Sequence, residues 1–138
     1  MKAFTRLIAF IKAFIYANKA TKFKRDHGAE WRDDRDHYHR GWGLPAVVSA
    51  CGYRAWYYHG GLHRRFGPAV KDPDGMRLYY HRDRLHRTGG KPAVIRPNGR
   101  IEYWEHGRKH REDGPAVITE DGWAYWYRKG HMIRCEKV

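Results

Sequence analysis

Apolar residues at the start of the chain recur at the three- and four-residue spacing of one helix face. This spacing predicts a basic amphipathic α-helix over residues 1–20, because lysine and arginine gather on its other side. The stretch is interrupted by Lys12 and is too short for a comfortable membrane span. We expect the helix to pack on its own domain, to lie on a membrane surface or partner, or to act in targeting. Its apolar face comprises Phe4, Leu7, Ile8, Ile11, Phe14 and Ile15.

The next stretch, residues 21–36, is polar and charged, which predicts a linker. From residue 37 to residue 138, short apolar runs alternate with turn residues, and the pattern repeats. A period in the twenties indicates stacked units that cannot bury their apolar faces alone. We therefore predict a helix, a linker and a repeat domain over 37–138. The repeats begin with His-Arg pairs at His39, His63, His86 and His110, spaced by 24, 23 and 24 residues, and an eroded fifth copy begins at Ile133.

Each repeat has the pattern of a β-hairpin. A Pro-Ala-Val sequence begins an extended segment, with proline at the strand edge, where its missing N–H does no harm. A turn glycine follows seven residues after each proline, and in three of the four copies Asp or Asn precedes it. Asp-Gly and Asn-Gly favour hairpin turns because both residues tolerate positive φ. The turn glycines are Gly52, Gly75, Gly99 and Gly122.

The second strand of each hairpin carries two consecutive aromatic residues, the fourth and fifth after the turn glycine. Successive strand residues face opposite sides, which predicts two aromatic columns on opposite sheet faces. The fold class is therefore mainly β, an antiparallel meander of four to five repeated β-hairpins with an N-terminal amphipathic α-helix across one face. Its open edges would permit self-association. The first column is Trp56, Tyr79, Tyr103 and Trp126, and the second is Tyr57, Tyr80, Trp104 and Tyr127.

The charge of the chain points to an anionic partner. The formal net charge is +13, from 28 Lys and Arg against 15 Asp and Glu. Such an excess predicts affinity for nucleic acid, a ribonucleoprotein or an acidic membrane face. The arginine after each repeat histidine should form a ladder that either binds phosphates beside aromatic rings or closes its own loop by pairing with a local acid. The residues expected to bind a polyanion or partner are Arg40, Arg64, Arg65, Arg87, Arg108, Lys109, Arg111 and Arg134.

Ten histidines raise the question of a metal site. Units that stack two strands at a time would place equivalent histidines about 10 Å apart. That separation is too large for a shared zinc ion, whose ligand bonds are about 2 Å long. We therefore predict no metal and no cofactor, and expect the repeat histidines to hydrogen-bond the backbone of the loop between hairpins.

The sequence gives no sign of a catalytic site. Its clustered acidic residues fall in predicted loops and turns, and the single serine, Ser49, has no neighbouring histidine or acid that would activate it. We expect no enzyme activity. The isolated Cys51 and Cys135 favour free thiols in a reducing, intracellular compartment.

The stretches YWEHGRKHREDGPAV and YYHGGLHRRFGPAV resemble the MORN-like repeat family. The family frame is an aromatic residue, two further residues, a glycine, two further residues and a histidine. In the copy with Tyr80 and His86, Asp83 stands at the glycine position, which leaves the turn between hairpins undetermined there. The His-Arg and Gly-Pro-Ala variant is similar to short repeat proteins of bacteriophages and large DNA viruses. The resemblance implies hairpin arrays that serve as scaffolds, and in some members as membrane-associated or partner-binding modules. The frame is matched by Trp104, Gly107 and His110, and with tyrosine by Tyr57, Gly60 and His63.

These observations predict a non-enzymatic MORN-like repeat module that docks on a larger assembly through a basic edge and the N-terminal helix. Two alternatives stay open. The first is a nucleic-acid or ribonucleoprotein-binding protein that uses the arginine ladder. The second is a peripheral membrane protein anchored by residues 1–18 on an anionic surface.

Overall fold

The computed structural model describes residues 20–138, so the predicted helix over residues 1–20 lies outside the described residues except for its last position. The described part is built from short antiparallel strands. Eleven of them form one sheet: β1 (Thr21–Arg25), β2 (Gly28–Arg32), β3 (Val47–Ser49), β4 (Arg54–Ala55), β7 (Val70–Lys71), β8 (Arg77–Leu78), β11 (Val94–Ile95), β12 (Ile101–Glu102), β15 (Val117–Ile118), β16 (Trp123–Arg128) and β17 (His131–Lys137). Six others form three small hairpins: β5 (Tyr57–Tyr58) with β6 (Gly61–Leu62), β9 (Tyr80–His81) with β10 (Arg84–Leu85), and β13 (Trp104–Glu105) with β14 (Arg108–Lys109).

The eleven strands of the main sheet lie side by side in the order in which the chain makes them, and every neighbouring pair is antiparallel. The prediction of a mainly β antiparallel meander is therefore confirmed. Strands β1 and β17 are the two edges of this sheet, and both are exposed along their whole length.

Each repeat contains two hairpins where the sequence predicted one. In the unit from Pro68 the first hairpin joins β7 to β8 in the main sheet, and the chain then leaves that sheet at Tyr79 to form β9 and β10. The Tyr79 N–H donates to the carbonyl of Ala93 at 2.8 Å, and its own carbonyl accepts from the N–H of His86 at 3.0 Å. Because Tyr79 bonds to two different neighbours, the straight aromatic strand expected from the sequence is interrupted there. A continuous strand survives in β16, with a register shift between Trp126 and Tyr127.

The tips of the second hairpins are turns in which both central residues have positive φ, the geometry of a type I′ turn. The unit from Pro68 makes the same turn with Arg82 at φ 50° and Asp83 at φ 61°. Asp tolerates the left-handed region better than most residues. The Asp83 carboxylate also accepts the N–H of Leu62 at 3.1 Å. Asp83 thus preserves the turn that the sequence left undetermined.

The prediction of a linker over 21–36 is wrong, because this stretch contributes β1 and β2 to the sheet. Trp31 occupies the place of a first-column aromatic residue: its N–H donates to the carbonyl of Ala46 and its carbonyl accepts from the N–H of His39. The segment is therefore a divergent first unit. Trp31 and His39 are eight residues apart, whereas Trp56 and His63 are seven apart, so the repeat pattern did not reveal it.

The core is thin and consists largely of small residues. The alanine of each Pro-Ala-Val sequence is fully buried, and Trp56 is the one large apolar side chain in the buried core of residues 20–138. Ala93 is also fixed through its backbone, since its N–H donates to the Glu102 carbonyl and its carbonyl accepts from the Tyr79 N–H, both at 2.8 Å. Much of the cohesion must therefore come from hydrogen bonds and stacked polar side chains. The other alanines are Ala46, Ala69 and Ala116.

Candidate partner-binding surface

The repeat arginines form the predicted ladder, and each one lies over an aromatic ring of the first column or its equivalent. Cation–π contacts of this kind favour a guanidinium held against the ring face. The distances from the guanidinium carbon to the ring centroid are 3.7 Å for Arg40 over Trp31, 3.8 Å for Arg64 over Trp56, 3.7 Å for Arg87 over Tyr79, 4.0 Å for Arg111 over Tyr103 and 4.0 Å for Arg134 over Trp126.

The first four ladder arginines also hydrogen-bond across the loop that follows them in their own unit. Each donates from Nη1 to the carbonyl of the proline that begins the Pro-Ala-Val sequence of its unit, at 3.1, 3.1, 3.0 and 3.2 Å along the chain. Burial lowers the pKa of Arg40 and of Arg64, as expected for half-buried guanidinium groups. This geometry favours the loop-closing alternative, although the partner is a carbonyl and not the acid that the sequence suggested.

The four repeat histidines tie neighbouring hairpins together. In each unit Nδ1 accepts a hydrogen bond from the backbone N–H of a residue at the next hairpin tip, and the lengths are 3.2, 3.1, 3.3 and 3.2 Å. The predicted hydrogen bond to the backbone between hairpins is thus confirmed. The acceptor role requires a neutral ring with its proton on Nε2. The donors are His59, Arg82, His106 and Lys129.

Histidine rings from the tips and from the repeat positions also contact one another. His39 stacks on His59 with centroids 4.3 Å apart, and His86 stacks on His106 at 4.2 Å. Between them His81 lies 5.0 Å from His63 and 6.0 Å from His86. Within residues 20–138, no three His, Cys, Asp or Glu side chains are grouped so that they could hold a metal ion.

The other predicted binding residues lie outside the ladder. Arg65 is exposed in the loop after Arg64, and Arg108 is exposed on β14. Lys109 is half-buried, with Nζ 5.5 Å from the ring centroid of Trp104 and 5.1 Å from that of Tyr127.

Two exposed cations at a hairpin tip, Arg82 and Arg84, were missed by the sequence analysis. They fall outside the His-Arg frame, and only the second hairpin brings them to this surface. A sequence signal for them exists. Arg82-Asp83 stands at the tip position that His59-Gly60 and His106-Gly107 occupy in two other units.

A groove of about 620 Å³ lies between the loop 64–67 and the loop 87–91. Exposed Arg65, Phe66 and Lys91 line it, together with His81 and His106. Among residues 20–138, no Asp or Glu lines it. A neighbouring depression of about 350 Å³ is lined by His81, Arg82, Arg84 and His106, so the basic surface continues around the hairpin tip.

The neighbouring groove carries mixed charge. The next groove, of about 450 Å³ between the loop 87–91 and the following loop, is lined by Glu105, Glu112 and Asp113 together with cations. We call the Arg65, Phe66 and Lys91 groove, with the depression beside Arg82 and Arg84, the basic groove.

No protein-family model, curated protein or solved structure matches this chain. The apolar face of the predicted helix, from Phe4 to Ile15, lies outside the described residues. Within the part that the structure describes, no helix is long and apolar enough to cross a membrane.

Proposed function

We propose that the chain is a non-enzymatic MORN-like repeat module that docks on a larger assembly by binding an anionic partner through the basic groove. The observation that carries the proposal is the separation of its cations into two groups. The first four ladder arginines are held by rings and carbonyls, whereas Arg65, Lys91, Arg82 and Arg84 are exposed. Side chains with free donors remain available to a partner's phosphates or carboxylates.

The groove chemistry suits an anion. Exposed Arg65 and Lys91 line it, and among the described residues that line it there is no carboxylate to repel a negatively charged partner. The surrounding charge of +13 would attract a polyanion over some distance and accelerate its encounter with the groove.

Salt dependence tests this proposal. The partner is first captured from the native source with the full chain as bait, with and without nuclease treatment. Affinity for the captured partner is then measured as salt rises. For about four cation–phosphate contacts on a single strand, log K should fall with log salt with a slope of about −3.

Two matched variants localise the contact. Arg65→Gln/Lys91→Gln removes two positive charges from the basic groove, and Arg54→Gln/Arg96→Gln removes two from exposed positions at the other end of the hairpins. The proposal expects a shallower salt slope for the first pair alone. Binding that does not respond to salt, or an equal loss in both pairs, would contradict it.

A further inference from the structure

We infer that the basic groove binds single-stranded nucleic acid, with a base stacked on Phe66 and phosphates held by Arg65 and Lys91. This inference rests on the proposed function, since it names the class of anionic partner. Phe66 distinguishes the groove from a simple basic patch. Its side chain is 78% exposed, and the Arg65 guanidinium lies 5.3 Å from its ring centroid.

The exposed ring recurs at the equivalent place in the preceding unit. Phe66 lies two residues after the ladder arginine Arg64, and Trp42 lies two residues after Arg40. Trp42 is 74% exposed. Equivalent loops are two strands apart, which corresponds to about 10 Å. The exposed Phe66 ring is the kind of stacking platform that single-strand binders use.

Cations flank the Phe66 ring on both sides of the groove. Arg65 belongs to the same loop, and Lys91 reaches the groove from the loop of the next unit. Arg82 and Arg84 extend the positive surface along the hairpin tip. A strand crossing the groove would therefore meet a ring between cations, which matches the alternation of bases and phosphates in nucleic acid.

An unpaired strand satisfies these features better than other polyanions do. In a duplex the faces of the bases are covered by their neighbours, so Phe66 would have no partner, and single strands offer unstacked bases to aromatic side chains. An acidic peptide would pair with the cations without stacking on the flat ring. An anionic membrane would pair with the cations and bury the ring at its interface, so the measurement with anionic vesicles distinguishes it from a single strand.

Fluorescence anisotropy with the full chain tests the inference. The probes are a labelled DNA strand of about 15 nucleotides, chosen to span several units, the same sequence as RNA, and the DNA duplex. We expect Phe66→Ala to weaken single-strand binding about tenfold, to leave duplex binding unchanged, and Phe66→Trp to restore single-strand affinity. Phe23→Ala, which removes an exposed ring from edge strand β1, should change binding less than about twofold.

The outcomes separate this inference from the proposed function. If Phe66→Ala has no effect while Arg65→Gln/Lys91→Gln weakens strand and duplex equally, the single-strand inference is overturned and the anionic-partner function stands. The same holds if anionic vesicles or polyglutamate bind and nucleic acid does not. If neither nucleic acid, nor anionic vesicles, nor polyglutamate binds, the single-strand inference and the proposed function are both overturned. Far-UV circular dichroism of each variant verifies that it is folded.

Discussion

The backbone N–H of His106 donates a hydrogen bond to Nδ1 of His86 at 3.3 Å, and the two rings stack 4.2 Å apart. The same bond links each repeat histidine to the next hairpin tip. A protonated imidazole carries a donor on both nitrogens and cannot accept this bond. The units are therefore joined by histidines that must stay neutral.

Acid should weaken the fold through these histidines. Burial lowers the pKa of His63 below its ordinary value of 6.5, and His81 and Arg82 lower it further. For His86, burial lowers the pKa first, then His106 and His81, while Glu105 opposes them. Unfolded histidines take up protons near pH 6.5 and the folded ones only at lower pH. Their stabilising effect is thus complete above pH 6.5 and is lost as the pH falls below it, until the folded-state pKa is passed.

Urea unfolding at pH 7.5 and pH 5.5 checks this dependence, with a smaller unfolding free energy expected at the lower pH. His63→Asn/His86→Asn keeps an acceptor near the Nδ1 position without titrating in this range. This double variant should show a smaller loss between the two pH values. An unchanged loss would mean that other groups cause the acid sensitivity.

Arg87→Lys should destabilise the array. Lysine keeps the charge but cannot lie as a planar group over Tyr79 while donating to the Pro92 carbonyl. We expect the free energy of unfolding to fall by about 1–2 kcal/mol in urea titrations. Arg65→Lys, at an exposed position, serves as the control and should change it by less than about 0.5 kcal/mol.

The tip residue Asp83 combines positive φ with a hydrogen bond to Leu62. Asp83→Asn retains both features and should leave stability nearly unchanged. Asp83→Ala loses the bond and forces alanine into the left-handed region, with an expected loss of about 1–2 kcal/mol in thermal or urea unfolding. Asp34→Ala, in an exposed loop, is the matched control. Equal effects of the two alanine variants would argue against the special role of the tip.

Ala93 is fully buried, so a larger side chain at this position would overlap its neighbours in the core. Ala93→Leu should lower the free energy of unfolding by about 1–3 kcal/mol or more, because overpacking forces the surrounding side chains and backbone to shift. Ala50→Leu, at an exposed turn position, should be tolerated. A stable Ala93→Leu protein would show that the core around Ala93 is less closely packed than described.

The meander could be predicted from the sequence because Asp-Gly and Asn-Gly turns and Pro-Ala-Val starts recur at one period. The second hairpin could not, because nothing local in Tyr79-Tyr80 shows that the backbone of Tyr79 bonds on one side to Ala93 and on the other to His86. Those partners are set by stacking between units. The divergent first unit was missed for a related reason: Trp31 keeps its contacts although its spacing to His39 differs.

The candidate site was partly predicted. Arg65 was expected as a binding residue from its charge beside the ladder arginine Arg64, and it does lie in the basic groove. The hydrogen-bond acceptor of Arg64 and Arg87 could not be predicted from their spacing, because a guanidinium beside a ring can donate equally well to a phosphate or to a proline carbonyl. The packing of Pro68 and Pro92 beside them favours the carbonyl.

The central claim is that the basic groove binds the anionic partner and that the ladder arginines do not. Its most direct test is to measure single-strand affinity as salt rises for two double variants of equal charge. Arg65→Gln/Lys91→Gln alters the basic groove, and Arg40→Gln/Arg111→Gln alters the ladder. With both variants verified as folded, the groove pair should reduce the salt slope by about one to two, and the ladder pair should leave it unchanged. A ladder pair that reduces the slope as much as the groove pair, or more, would contradict the account.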